Sequence, residues 1–182
     1  MPYWRPFLTR SVHFIGTVCR YHSYEERNFN MVRRETIDNF LSQKKIAVVG
    51  VSRDSKQFAN QAYRLLKKHG YVVYPVNPFT QRAEDDQCYP SVKSLPEAVG
   101  GVVMMLPPEK TMQVLPEIAD AGITHVWLQQ QTESPQAIQF CVDHHMDFVY
   151  GECIIMFLEP LGFPHRLHRW GKKFFGKLPV KE

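Results

Sequence analysis

From residue 31 onward, short apolar runs alternate with segments whose apolar residues recur at helical spacing. The runs are "KIAVVG" (45–50), "YVVYPV" (71–76), "GVVMML" (101–106), "THVWLQ" (124–129) and "DFVYG" (147–151). Each reads as a strand; "KIAVVG", which ends in Gly, and "YVVYPV", which stops at Asn77-Pro78, read as buried ones. Pro75 has no N–H to give a neighbour, which favours an edge-like or strand-terminal place for it. Ile37, Phe40 and Leu41 predict a short lead-in helix. Phe58, Ala62, Leu65 and Leu66 predict a second that stops at Gly70, and Met112, Leu115, Ile118 and Ala119 a third that stops at Gly122. Ser134-Pro135 is an N-cap followed by a proline at the first helical position, with Ile138, Cys141 and Val142 forming that helix's face. "SLPE" (94–97) has the Ser-x-x-Glu form of a capping box and predicts one more short helix.

Strands alternating with helices predict an α/β fold: a doubly wound, five-stranded parallel sheet, Rossmann-like, with helices on both faces. Right-handed crossovers put the chain reversal between the first strand and a fourth-type strand, with a ligand crevice outside the carboxyl ends of the strands. The residues to question are therefore 50–55, 76–80, 106–111 and 129–132.

The first loop, "GVSRDSKQFAN", has only Gly50 of the three glycines a dinucleotide fingerprint needs. It keeps what a phosphate requires: the hydroxyls of Ser52 and Ser55, the charges of Arg53 and Lys56, and a helix N-terminus behind them. A solvated polar turn is the other reading, and the loop by itself leaves both open. At the end of the second strand, Val76, Asn77 and Pro78 stand where an acid would hold a ribose with free hydroxyls. An acid repels a phosphorylated ribose, so their presence argues against NAD, allows a 3′-phosphorylated adenosine and leaves NADP open. Pro107 and Pro108 present an apolar wall suited to an adenine face, or simply begin the next helix. Gln129 and Gln130 are neutral and suit a neutral arm of amides and hydroxyls.

"IAVVGVSRD", "YPVNP", "LPPEKT", "VWLQQQ" and "GECIIMF", in that order over about residues 33–158, resemble the small stand-alone CoA-binding-domain family. These proteins are related to the CoA-binding domain of the succinyl-CoA synthetase alpha subunit. The resemblance implies CoA or acyl-CoA as ligand. It implies that Ser52, Arg53 and Lys56 meet phosphates, with Gly50, Val51 and Phe58 beside them in the same loop and helix start. Val76, Asn77 and Pro78 would flank adenosine. Leu106, Pro107, Pro108 and Thr111 would line the adenine side, and Gln129 and Gln130 would approach the pantetheine arm. The family's usual Gly after the fourth strand's Gln is replaced here by Gln131. The family's ligases also need a phosphorylated histidine and further domains, which 182 residues do not hold. The implied function is non-catalytic CoA or acyl-CoA binding, as a sensor or carrier. The alternatives are a small NADP-dependent reductase, which would need a catalytic Tyr-Lys, Ser or His that is not legible, and a ligand-free interaction domain.

Composition changes this picture only at the ends. The net charge is +4. Residues 1–30 carry four Arg and two Glu, and residues 160–182 carry six Lys or Arg and one Glu. The body between is slightly acidic, which argues against nucleic acid as partner. Three segments follow: 1–30 as an extension, disordered or targeting; 31–158 as the CoA-binding domain; 159–182 as a basic, aromatic C-terminal segment. The first has a presequence-like composition, so the expected compartment is the cytoplasm, or the mitochondrial matrix if that segment directs import. The last packs back as a helix, or offers a surface to a membrane or a protein partner. No run is long enough to span a bilayer. Cys19, Cys88, Cys141 and Cys153 lack zinc or disulfide spacing. Cys153 is the one candidate redox thiol, against the commoner role of a small buried apolar residue. His144-His145 reads as a helix end, and His165 and His168 lack a third ligand, so no metal is expected.

Overall fold

The computed structural model describes residues 33–158. Strand β1 (Lys45–Val49) lies inside its sheet, with Ile46, Ala47, Val48 and Val49 all buried. Helices cover both faces, which is why the strand's sequence does not alternate. Around it lie helix α1 (Arg34–Ser42), α2 (Phe58–Lys68), β2 (Val72–Val76), a small hairpin of β3 (Arg82–Ala83) and β4 (Asp86–Gln87), β5 (Gly101–Met104), α3 (Pro108–Asp120), β6 (His125–Gln129), α4 (Pro135–Asp143) and β7 (Asp147–Glu152). The five main strands are parallel in the order β2-β1-β5-β6-β7. This is the doubly wound Rossmann-like sheet the pattern predicts.

The reversal lies elsewhere than expected. It falls between the first and third strands of the sheet, β1 and β5, because α3 crosses from β5 directly to its neighbour β6. Val49 therefore has Val76 on one side and Met104 on the other, and the three strand ends open together.

Pro75 sits on the edge strand β2, beside Val48. The outer side of that edge is covered in part by Tyr89, whose N–H donates to the Pro75 carbonyl at 2.9 Å and whose carbonyl accepts from Asn77 N at 2.8 Å. "SLPE" does not open a helix. A short 3-10 turn spans Val92–Ser94 instead, with Ser91 and Ser94 as its reciprocal caps. Glu97 is used otherwise, accepting hydrogen bonds from Lys45 and from the Tyr74 hydroxyl, which is pushed up to about 12 chiefly by that bond.

Two cores flank the sheet. α1 and α2 bury Ile37, Phe40, Ala62, Tyr63 and Leu66 on one face together with a 3-10 turn at Ile154–Phe157. α3 and α4 bury Leu115, Ile118, Ala137 and Cys141 on the other. Trp127 centres the first core, edge-on to Phe40 at 5.3 Å and to Phe157 at 5.7 Å. Its indole N–H donates to the Glu152 carbonyl at 3.0 Å, so its burial leaves no polar atom unpaired. Among the described residues no helix is long and apolar enough to cross a membrane. The expectations for residues 1–30 and 159–182, and those for Cys19, His165 and His168, lie outside the described residues.

Candidate functional site

A cleft of about 920 Å³ opens where β1, β2, β5 and β6 end. Its floor is made by the strand ends themselves. Gly50 follows β1 at φ +103° and donates its N–H to Val76 O at 2.9 Å. A Cβ there would lie 2.8 Å from Met105 O and 3.0 Å from Leu106 Cδ2. Both the backbone conformation and the space demand glycine at this point.

The loop that follows bonds to itself. Ser52 Oγ accepts from Asp54 N at 3.1 Å, Asp54 Oδ1 accepts from Lys56 N at 3.0 Å, and Asp54 Oδ2 accepts from Gln57 Nε2 at 3.1 Å. Such turns suit Ser and Asp, whose short side chains reach backbone two residues on. The Ser52 hydroxyl is used as an acceptor, so its proton stays available to a ligand oxygen. Gln57, Phe58 and Ala59 bring the start of α2 to the cleft, and Gln57 makes no side-chain cap there. Helix N–H groups left without a side-chain acceptor favour an anion.

Asn77 is placed at the cleft but its amide is engaged. Nδ2 donates to Val51 O at 2.8 Å, and Oδ1 accepts from Phe79 N at 2.9 Å. It staples the first loop to the end of β2 and forms the turn that carries Pro78 and Phe79. Phe79 is 80% exposed at the rim. On the third side Leu106, Pro107 and Pro108 line the cleft, and Pro107 and Pro108 also serve as N-cap and first residue of α3. The pair thus begins the helix and lines the cleft at once. On the fourth side Gln129, Gln130, Gln131 and Thr132 contribute. Gln129 is 5% exposed and its Oε1 accepts from Ile154 N at 3.1 Å. Gln131 takes φ +75°, so the backbone form that suits glycine is kept although glycine is absent.

Of the residues named from the sequence, Gly50, Ser52, Phe58, Val76, Asn77, Pro78, Leu106, Pro107, Pro108, Gln129 and Gln130 meet in this lining. Five do not. Val51 and Thr111 are fully buried, and Thr111 Oγ1 donates to Leu106 O at 3.2 Å, supporting the wall from behind. Arg53, Ser55 and Lys56 are exposed on the loop, outside the lining. Lys110 is the only Lys or Arg among the described lining residues. It stood in "LPPEKT", one turn into a helix opening at the cleft, which was the signal for it. Phe79 and Thr132 line the cleft from within the stretches 76–80 and 129–132, and Gln113 and Val114 line it from outside all four. Cys153 is 7% exposed in the core beside Ile154 and Ile155, away from the lining. Cys141 is buried too, which pushes its thiol up to about 12. Among the described residues no cluster of three or more His, Cys, Asp or Glu could hold a metal.

Residues 44–159 match the model of a family described as a CoA binding domain. An ADP-forming acetate–CoA ligase II alpha subunit of Pyrococcus furiosus is 32% identical over 91 residues, 50% of this chain and 20% of that protein. The chain thus spans about a fifth of that relative's length. Two solved structures match nearly whole. A hypothetical protein from Pyrococcus horikoshii has a TM-score of 0.67 at 29% identity, covering 73% of this chain and 94% of that one. A conserved hypothetical protein from Pyrococcus furiosus has a TM-score of 0.59 at 34% identity, covering 61% and 96%.

Proposed function

The chain belongs to the CoA-binding-domain family, and from that premise we propose that it binds CoA or acyl-CoA in the cleft as a non-catalytic module, a sensor or a carrier. One observation carries the reading. The end of β2 offers Val76, Asn77 and Pro78 and no carboxylate, on a cleft whose lining holds one lysine, Lys110, and one carboxylate, Glu117, which comes from α3. A ribose phosphate is repelled by a carboxylate and drawn to a cation, and CoA has such a phosphate where NAD has a free hydroxyl. Ser52 and the open start of α2 suit the pyrophosphate. Arg53 and Lys56 reach phosphates from the exposed loop, and Lys110 meets them from α3. Asn77 acts through the turn it builds, and so shapes the adenosine side. Leu106, Pro107 and Pro108 offer adenine a flat apolar surface, and Gln129 and Gln130 border the pantetheine arm. Residues 31–158 are the proposed binding unit.

Calorimetric titration with CoA, acetyl-CoA, NAD and NADP tests this. CoA should bind at least about tenfold tighter than NAD, a difference of about 1.4 kcal/mol. Equal affinities, or binding of NAD alone, would overturn the reading.

A further inference from the structure

Behind the first loop, outside the lining of the cleft, lies a polar chain that touches the loop at both ends. Asn60, on the first turn of α2, is fully buried. Its Oδ1 accepts from Ser52 N at 2.9 Å, and its Nδ2 donates to Ser52 O at 2.7 Å. One side chain thus grips both backbone groups of a single loop residue, as a neighbouring strand would. The same Nδ2 donates to Glu84 Oε1 at 2.7 Å. Arg64 Nη1 donates to that carboxylate oxygen at 2.7 Å and to Ser55 O at 3.0 Å. Glu84 comes from the β3–β4 hairpin. It sits at φ 50°, followed by Asp85 at φ 66°, as the two-residue turn requires.

We propose that Asn60, Glu84 and Arg64 are positioning residues that fix the loop of residues 52–55 in its ligand-ready form, so that the hairpin sets the affinity of a cleft it does not line. The inference rests on the functional reading above for the identity of the ligand, but the fixing of the loop is a property of the free protein. A carboxylate is the right partner for this work. It accepts from two donors at one oxygen, and burial of Asn60 makes a lost partner costly. The hairpin has a second attachment that leaves the loop alone. Asp86 accepts from the Tyr63 hydroxyl at 2.6 Å and pairs with Lys67. The two attachments can therefore be cut separately.

The experiment uses the full chain and two readouts: amide hydrogen exchange over residues 52–56 without ligand, and calorimetry with CoA. Glu84→Ala should speed exchange in that loop and weaken CoA by roughly tenfold, the effect of one lost bond to a buried polar group. Glu84→Gln, which keeps an acceptor oxygen, should restore most of both. Asn60→Asp keeps the shape but loses both donors and should act at least as strongly as Glu84→Ala. Lys67→Ala removes the ion pair from the hairpin's other anchor, leaving the Tyr63 bond, and should leave loop exchange and affinity within about twofold of the wild type, a margin well under one hydrogen bond. Should Asn60→Asp fail to fold, the Glu84 and Lys67 variants decide the matter alone. Equal effects of Glu84→Ala and Lys67→Ala, or unchanged loop exchange in Glu84→Ala, overturn the proposal. If the wild type does not bind CoA, the functional reading falls, and the exchange rates still judge the loop.

Discussion

The loop after β1 is held by hydrogen bonds among its own residues and those of α2, whereas the loop after β6 leaves two buried side-chain oxygens without partners among the described residues. In the first, Ser52, Asp54 and Asn60 supply five hydrogen bonds to loop or helix-start groups, and the one residue at positive φ is a glycine. In the second, Thr132 N donates to Gln129 O and Ser134 caps α4. Thr132 Oγ1 and Glu133 Oε2 are buried with no partner among the described residues, and Gln131 holds a left-handed backbone without being glycine. Both loops border one cleft. The first is held by its own hydrogen bonds, and the second carries strain and unpaired polar atoms of the kind that gather at binding sites.

The sharpest way to break the comparison is Gly50→Ala. Its Cβ would press on backbone 2.8 Å away, at a φ of +103°. Backbone strain and overpacking each cost on the order of 1–3 kcal/mol, so a loss of about 3 kcal/mol is expected in urea unfolding. A loss below about 1 kcal/mol would show that the first loop yields easily, and the contrast with the second would lapse.

Next comes charge. Arg53→Ala should weaken CoA by roughly tenfold, the low end for a charged contact because the side chain is exposed. The loss should shrink with added salt. Dephospho-CoA separates the roles: a smaller loss there assigns Arg53 to the 3′-phosphate, an equal loss to the pyrophosphate. Wild-type affinity in both Arg53→Ala and Lys56→Ala at low salt would leave the charge to Lys110 and make the first loop a solvated turn after all.

A smaller effect concerns acid. Burial raises the Glu84 carboxyl, but hydrogen bonds from Arg64 and Asn60 outweigh it and hold the group below its ordinary value. Asp86 is lowered in the same way, burial being outweighed by Lys67 and Tyr63. A folded-state value below the unfolded one stabilises the protein above the unfolded value, and that contribution is lost as pH falls through the folded one. Stability should therefore drop below about pH 4, by no more than about 1 kcal/mol for each partly exposed pair. Glu84→Gln should flatten the drop. An unchanged acid profile in that variant would mean that the carboxylate does not hold the hairpin.

Much of this was legible in the sequence because burial and turn chemistry are local signals. The five strands showed as apolar runs, and Gly50 and Asn77-Pro78 marked where two of them open on the cleft. The hairpin was not legible: "RA" and "DQ" are too short to show alternation, and its turn uses Glu84 and Asp85 where Asn or Gly is the usual sign. Gln113 and Val114 reach the cleft from the side of α3, beyond the strand-end stretches, so part of the wall was not marked by them. Asn60 escaped for a different reason. A buried Asn in a helix looks like any polar residue on an amphipathic pattern, and only three-dimensional contact shows that it grips Ser52.

The last test bears on the second loop alone. At φ +75° a side chain with a Cβ costs about 1 kcal/mol or more against its ordinary backbone states. Gln131→Gly removes that cost but gives the unfolded chain more freedom, which takes back about 0.4–1 kcal/mol. The Gln131 side chain is exposed, so little packing is lost. A net gain of about 0.5 kcal/mol is expected, read as a rise in the urea midpoint with an unchanged slope. The corresponding change at an ordinary negative φ, such as Gln130→Gly, should instead destabilise, because glycine there brings only the entropic loss. If both substitutions destabilise alike, Gln131 is not strained. If Gln131→Gly stabilises and also weakens CoA, the side chain has a contact with the ligand that outweighs its strain, and the second loop is held ready by tension where the first is held ready by hydrogen bonds.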